Sequence, residues 1–510
     1  MPEPEMLGQP ESVPGTIATK ATVIRPQLRF PMREVCWALL TALLIGHVVL
    51  AREFDEAERE ADRPNLLLIL ADDLTWRDLG FVGNAEVKTP NLDRLASQSM
   101  YLRHMFASAP MCSPVRSALY TGLYGVRSGA YPNHARTHSG TRSIFTHLQQ
   151  HGYRTGLQIK QHVAPRATFD YEYLGGRHFD FEPTRGFFTR DPQQPWMLVF
   201  ASNFPHVNTW GRTVPQQLRA HFDADRLTVP QYLVDTPETR DRLVSYYAAL
   251  MALDNQVGQL MQLLEETGQV ENTLVLFHTE QGCSLPYAGK WSLYDNGIRN
   301  TVLARWPGRI RPGSASDALL QDVDLAPTFL EAAGVDPTLV DAGQPDADGD
   351  TGFDGRSFLD VLLGKRDHHR DYVFAQHTTV GVIGFREPYP IRSVRDSRHK
   401  LIHNLAYEHT FWIRGIHVAP PIDSWRRAAE NDPSISARVR WLSHRPEFEL
   451  YDLKRDPRET HNLADEPASA PIKHRLNSQL EAWMRQQGDR GLETELQAPS
   501  RRAGGGGNRP

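Results

Sequence analysis

The stretch "NLLLILADDL", Asn65 to Leu74, decides how the chain is read: an unbroken apolar run ending on two adjacent carboxylates. A run of this kind is a strand buried on both faces, as in a parallel sheet. The pattern returns three times. "TGLQI" (155–159) runs into Lys160 and His162, "WMLVFAS" (196–202) into His206, and "TLVLFH" (273–278) into Glu280 and Gln281. Helical patterns lie between the runs. The clearest spans 240–267, where Leu243, Tyr246, Leu250, Leu253, Val257, Leu260 and Leu264 recur at three- and four-residue steps before Gly268. Strands alternating with helices predict an α/β fold with a mostly parallel central sheet. Ligands of such sheets bind beyond the carboxyl ends of the strands, where all four polar clusters fall.

The 510 residues, 40% hydrophobic and 23% charged, suffice for one large domain and a smaller one. A formal charge of -5 argues against a general nucleic-acid binder. Residues 1–62 read as a leader. The apolar run 35–51 follows Arg25, Arg29 and Arg33 and is short for a membrane span; read from Met32, it forms a signal peptide over 32–51, cleaved after Ala51. The expectation is an exported protein, periplasmic or secreted, with no stable membrane span after cleavage. Cleavage would remove Cys36 and leave Cys112 and Cys283, so a disulfide scaffold is not expected. Cys283 reads as a small buried apolar residue.

Residues 63–370 read as the main domain, with "DADGDTGFDG" (346–355) as a loop. From 371 to 490 the pattern changes to short strands, "DYVFAQ" and "HKLIHNL", and a terminal helix over 468–486. Residues 491–510, ending "RRAGGGGNRP", read as a disordered tail.

The sharpest motif is "MCSPVRSALYTG", Met111 to Gly122. Ser113 suits an N-cap and Pro114 the first helical position, which would set Cys112 at a helix amino terminus, where N–H groups favour anions, with Arg116 one turn on. Taken singly, the other residues have ordinary readings: carboxylates cap helices, lysines are solvated, and a lone histidine is often structural.

Together these residues resemble the sulfatase family, whose C-x-P-x-R…T-G signature is present as Cys112, Pro114, Arg116, Thr121 and Gly122. The resemblance runs from "NLLLILADDL" through "KQH", "NFPH", "TEQG" and "GKWSLYDNGIR" to "FELYDLKRDPRETHNL". Within the family it is nearest the sulfamidase (heparan N-sulfatase) group, by "IKQHVAP" (159–165) and "IRSVRDSRHKLIHNL" (391–405). It implies an alkaline-phosphatase-like sandwich with a smaller carboxy-terminal α+β domain. It also implies that a maturation enzyme oxidises Cys112 to formylglycine, and that the substrate is a sulfated glycan or sugar, with an N-sulfoglucosamine as the sulfamidase-like choice.

The implied division of labour follows from charge. Calcium, with magnesium as the alternative, would take oxygen ligands from Asp72, Asp73, Glu280, Gln281 and the hydrate derived from Cys112. Lys160 and Lys290 would hold the sulfuryl oxygens and Arg116 the hydrate. His206 would protonate the leaving group, and His162 would take a proton from the hydrate. His403 and Asn404, on the smaller domain, are candidates for sugar contacts.

Two positions depart from the family pattern. Where Asp followed by Asn or His is usual, Glu280 and Gln281 each reach about 1.5 Å further, and Val115 stands where serine is frequent. Two other functions use the same features: a phosphoester or phosphonate hydrolase of this fold, and a calcium-stabilised glycan-binding protein that never matures its cysteine.

Overall fold

A computed structural model describes residues 63–176, 180–211, 213–287 and 289–502. The leader and signal segment lie outside the described residues. From Arg63 onward the chain forms one compact unit, built on two sheets.

The larger sheet has nine strands: β1 (Asn65–Ala71), β2 (Met100–Phe106), β3 (Arg154–Ile159), β4 (Glu172–Tyr173), β5 (Trp196–Ala201), β6 (Thr273–Thr279), β7 (Arg299–Arg305), β8 (Ala315–Ser316) and β9 (Leu320–Gln321). Their order is β4-β3-β5-β1-β6-β7-β2-β8, with β9 also paired to β2. The four apolar runs are the adjacent parallel strands β3, β5, β1 and β6. Of the long strands, only β7 runs against the others. Strands β1, β5 and β6 are buried throughout, as their lack of alternation requires.

Register makes the strand ends meet. Ala71 lies opposite Thr279 and Leu70 opposite Ala201, while Ile159 also lies opposite Ala201. The chains stay paired one step further, through Lys160 N to Ala201 O, Ser202 N to Leu70 O and Glu280 N to Ala71 O. Asp72, Lys160 and Glu280 therefore leave the sheet together.

Helices cover the faces. Pro237–Glu266 is capped by Thr236, whose hydroxyl accepts from Thr239 N, and buries all seven residues of the apolar stripe. Gly268, just beyond it, adopts a φ of 68° that ends the helix. Asp254 on this helix accepts from Leu92 N at 2.8 Å, which caps the neighbouring helix Pro90–Ser97 from outside.

The smaller carboxy-terminal domain holds an antiparallel sheet of β10 (Val373–His377), β11 (Ile391–Arg395), β12 (His399–Asn404) and β13 (Phe448–Asp452). Helix Ala470–Gln486 packs on β11 and β12 through Leu476, Leu480 and Trp483, with Trp483 stacked on Phe374. Buried Lys400 of β12 reaches Asp295 at 2.5 Å and Glu459 at 2.7 Å. It thereby ties this sheet to the β6–β7 connection that carries Lys290.

Two expectations need correction here. Residues 492–501 are a helix, not a tail; Thr494, Glu495 and Ala498 are buried, and Tyr131 donates to Thr494 O at 2.8 Å. Asn404 is structural, whereas His403 is partly exposed. Asn404 is fully buried and its amide donates to Pro446 O and Glu449, while His403 stacks on Phe448. Among the described residues no helix is long and apolar enough to cross a membrane.

Candidate active site

Helix Cys112–Thr121 begins one residue before the expected cap. Met111, in extended conformation, precedes the first turn, and Ser113 Oγ is buried without a hydrogen-bond partner. Cys112 thus occupies the first helical position, over the ends of β1 and β6. Its thiol lies 3.3 Å from Asp72 Oδ1 and 3.8 Å from Asp73 Oδ1. Gln281 Nε2 approaches the sulfur at 3.2 Å and Lys290 Nζ at 3.5 Å. Burial, reinforced by the Asp72 charge, pushes the thiol well above its ordinary pKa, so it is not a thiolate here.

Cations answer the buried carboxylates. Lys160 pairs with Asp72, Lys290 with Asp73 at 2.6 Å, and Arg116 with Glu280. Burial alone would raise the Asp72 carboxyl, but Lys160, His206, Arg116 and Lys290 outweigh it and hold the group well below the usual range. For Glu280 burial wins over Arg116 and the carboxyl is raised. Arg116 Nη1 also donates to Lys160 O at 3.1 Å, which fixes the plane of its guanidinium.

His206 lies 3.5 Å from Asp73, and its burial, opposed by that charge, lowers the imidazole to about 4. His162 stands further out. Its Nε2 meets His134 Nδ1 at 2.9 Å, and its Nδ1 is buried without a partner. Burial and the Lys160 charge push His162 well below the ordinary value.

Positive φ angles cluster around these groups: 64° at Asp73, 73° at Ile159, 52° at His162 and 68° at Trp291. Left-handed backbone is costly for residues other than glycine, most of all for a β-branched one such as Ile159, and gathers where function fixes a side chain.

Ligand atoms of Asp72, Asp73, Cys112 and His206 lie within 4.8 Å of one another. Glu280 Oε1 and Gln281 Oε1 are buried oxygens without hydrogen-bond partners. Converging carboxylates plus unpartnered oxygens fit a hard, oxygen-seeking cation such as calcium or magnesium. Glu280 is shared, since its other oxygen belongs to Arg116.

The ten catalytic and metal-ligand candidates, Cys112 included, are brought to this region, with His162 at its edge; His403 and Asn404 are not. Sequence reasoning missed two neighbours. His134 sits in the irregular segment "YPNHART", where nothing but a φ of 60° marks it. Trp291 follows Lys290, whose ammonium lies 5.3 Å from the indole centroid, and Gly415 leaves room for that ring.

Comparison with known proteins identifies the family and the fold. The sulfatase family profile matches residues 64–189 and 180–335, and the N-sulphoglucosamine sulphohydrolase C-terminal profile matches 286–415. N-sulphoglucosamine sulphohydrolase of Homo sapiens is 30% identical over 468 residues, covering 82% of this chain and 89% of its own. An ulvan-active sulfatase of Formosa agariphila is 29% identical over 448 residues, with 84% and 81% covered. Among solved structures, BT4656 in complex with its substrate D-glucosamine-2-N,6-O-disulfate superposes with a TM-score of 0.61 at 19% identity, covering 84% of this chain and 99% of its own. A phosphonate monoester hydrolase from Silicibacter pomeroyi superposes with a TM-score of 0.60 at 18% identity, covering 84% and 96%. The superpositions establish the alkaline-phosphatase-like fold, and the sequence matches choose among the enzymes that share it. The chain belongs to the sulfatase family, hydrolases of sulfate esters, and stands near its sulfamidase members.

Proposed function

We propose that this protein is an exported sulfatase that removes a sulfate ester or sulfamate from a sulfated glycan, with N-sulfoglucosamine as the preferred unit, using a formylglycine made from Cys112. The observation that carries the reading is the sulfur of Cys112, set between two aspartates and within 3.5 Å of Lys290. The sulfamidase choice rests on the carboxy-terminal profile match and the human relative. Export rests on the apolar run 35–51.

A bound calcium ion would supply Lewis-acid charge, and the hydrated aldehyde derived from Cys112 a nucleophilic oxygen. The chain's own residues supply the rest. Asp72, Asp73, Gln281 and the free oxygen of Glu280 would hold the ion. Three carboxylates face three fixed cations, so a divalent ion leaves the site net positive toward an anionic sulfuryl group. With the aspartates committed to an ion, Lys160 and Lys290 would be available to hold the sulfuryl oxygens. Arg116, fixed by Glu280 and Lys160 O and one turn after residue 112, would polarise the hydrate formed there. His206 gives a proton to the departing oxygen or nitrogen; the incoming anion raises its affinity for that proton above the ligand-free level. His162 accepts a proton at Nδ1, its unpartnered nitrogen.

A phosphonate hydrolase would share the fold. The sequence matches and a single carboxylate-rich cluster among the described residues favour sulfuryl transfer. The test is to co-express the chain with a formylglycine-generating enzyme and assay N-sulfated and O-sulfated glucosamine beside a phosphonate ester. Sulfate release from the N-sulfated sugar is expected; turnover of the phosphonate alone would overturn the reading.

A further inference from the structure

In the proposed reaction His162 takes a proton at every turnover, whether the substrate is a sulfate ester or a sulfamate, and must lose it before the next, from a site lined by buried charges. His162 is half-buried, two residues after Lys160, with Nδ1 buried and unpartnered and Nε2 joined to His134 Nδ1 at 2.9 Å. The two rings lie 4.7 Å apart between centroids, and His134 is exposed. An imidazole can take a proton on one nitrogen while giving one from the other, so two in series connect the site to water.

The segment bearing His134 is moored from both sides. Thr137 N donates to Ala164 O at 3.0 Å, which ties it to the segment bearing His162. On the far side, Arg136 N donates to Arg501 O at 3.0 Å, Arg501 donates back to Gly129 O and Arg136 O, and Ala135 bridges Arg502. The carboxy-terminal helix therefore holds in register a histidine at φ 60°, a conformation that the loop alone would not favour.

We infer that His134 is a proton relay for His162, carrying to solvent the proton that His162 takes up in each turnover while His206 regains its own from water; this rests on the proposed sulfatase reaction. As His162 Nδ1 gains a proton, its Nε2–H passes one to His134 Nδ1, and His134 Nε2–H releases one to water. One proton crosses, no bond to carbon or sulfur changes, and tautomer exchange through water resets both rings.

The test uses the full chain and two variants, His134→Ala and His134→Gln; the residue is exposed, and melting temperatures near wild type confirm that both fold. Nitrogen-15 NMR of histidine-labelled protein, with Cys112 unconverted, is expected to show the His162 imidazole signals moving in His134→Ala. Unmoved signals would overturn the pairing. In the matured enzyme turning over glucosamine N-sulfate, both variants are expected to lose about tenfold in kcat with little change in KM. Added imidazole is expected to restore the Ala variant. Wild-type kcat in His134→Gln, which keeps a hydrogen bond but cannot relay, would refute the relay. An inactive matured wild type would instead refute the sulfatase reading, and the relay with it, while the NMR result still decides the histidine pair.

Discussion

Arg116 and Glu280 form a pair with no solvent access on either side chain. Replacing Arg116 by methionine leaves the Glu280 carboxylate, already raised by burial, without its paired counter-charge and with only the weaker influence of Lys160. Breaking such a pair from one side costs about 3–5 kcal/mol, against a total stability of roughly 5–15 kcal/mol. Glu280→Gln should cost a comparable amount, because the buried guanidinium loses the carboxylate charge paired with it and keeps only neutral acceptors such as the Lys160 carbonyl. The double variant removes both charges, so its loss should fall short of the sum by about 3 kcal/mol. Urea unfolding at neutral pH with EDTA, followed by circular dichroism, measures all four proteins without a contribution from metal. Additivity within about 0.5 kcal/mol would mean that the two groups do not interact, and would refute the electrostatic account of the site.

Calcium at a hundred times its Kd should stabilise the wild type by about 2.7 kcal/mol, seen as a rise in Tm. Asp73→Asn should abolish that rise, and a rise that survives would place the ion elsewhere. Gly289, at φ 121°, leaves no room for a side chain: a Cβ would sit 2.1 Å from the Asn296 carbonyl. Gly289→Ala should therefore displace Lys290, lowering both activity and Tm; an unperturbed variant would contradict the loop geometry. Burial pushes the Asp322 carboxyl up to about 7, although Ser108 donates to it from both N–H and hydroxyl. Between about pH 4 and 7 the folded state keeps a proton that the unfolded chain has lost, so this group makes stability fall as pH rises. Asp322→Asn should flatten that part of the stability–pH curve, and an unchanged slope would count against the assignment.

The central strands were legible because each is an apolar run stopped by its own chemistry, and parallel pairing brings such stops side by side. The long helix announced itself by its leucine stripe and Gly268. The carboxy-terminal helix did not, because its burial inverts the usual pattern: Leu492 and Leu496 face solvent, while Thr494, Glu495 and Ala498 are buried. Asn404 ends β12 and reads as an exposed polar terminus, yet its amide is consumed inside the sheet by Pro446 O and Glu449. His134 lacks any periodic context, and its place beside His162 depends on pairing with residues more than 360 positions away. Of the site itself, chemistry-bearing residues at strand ends could be read from sequence. The pairing of Arg116 with Glu280 could not, since it depends on how far each side chain reaches across the sheet.

Mass spectrometry of the peptide containing Cys112, after co-expression with a formylglycine-generating enzyme, tests the central claim most directly. The account predicts a loss of mass at that residue, from thiol to aldehyde, together with sulfate release from glucosamine N-sulfate by the converted protein and none by Cys112→Ala. A cysteine that stays a thiol while a control sulfatase is converted, or sulfate release that survives Cys112→Ala, would contradict it.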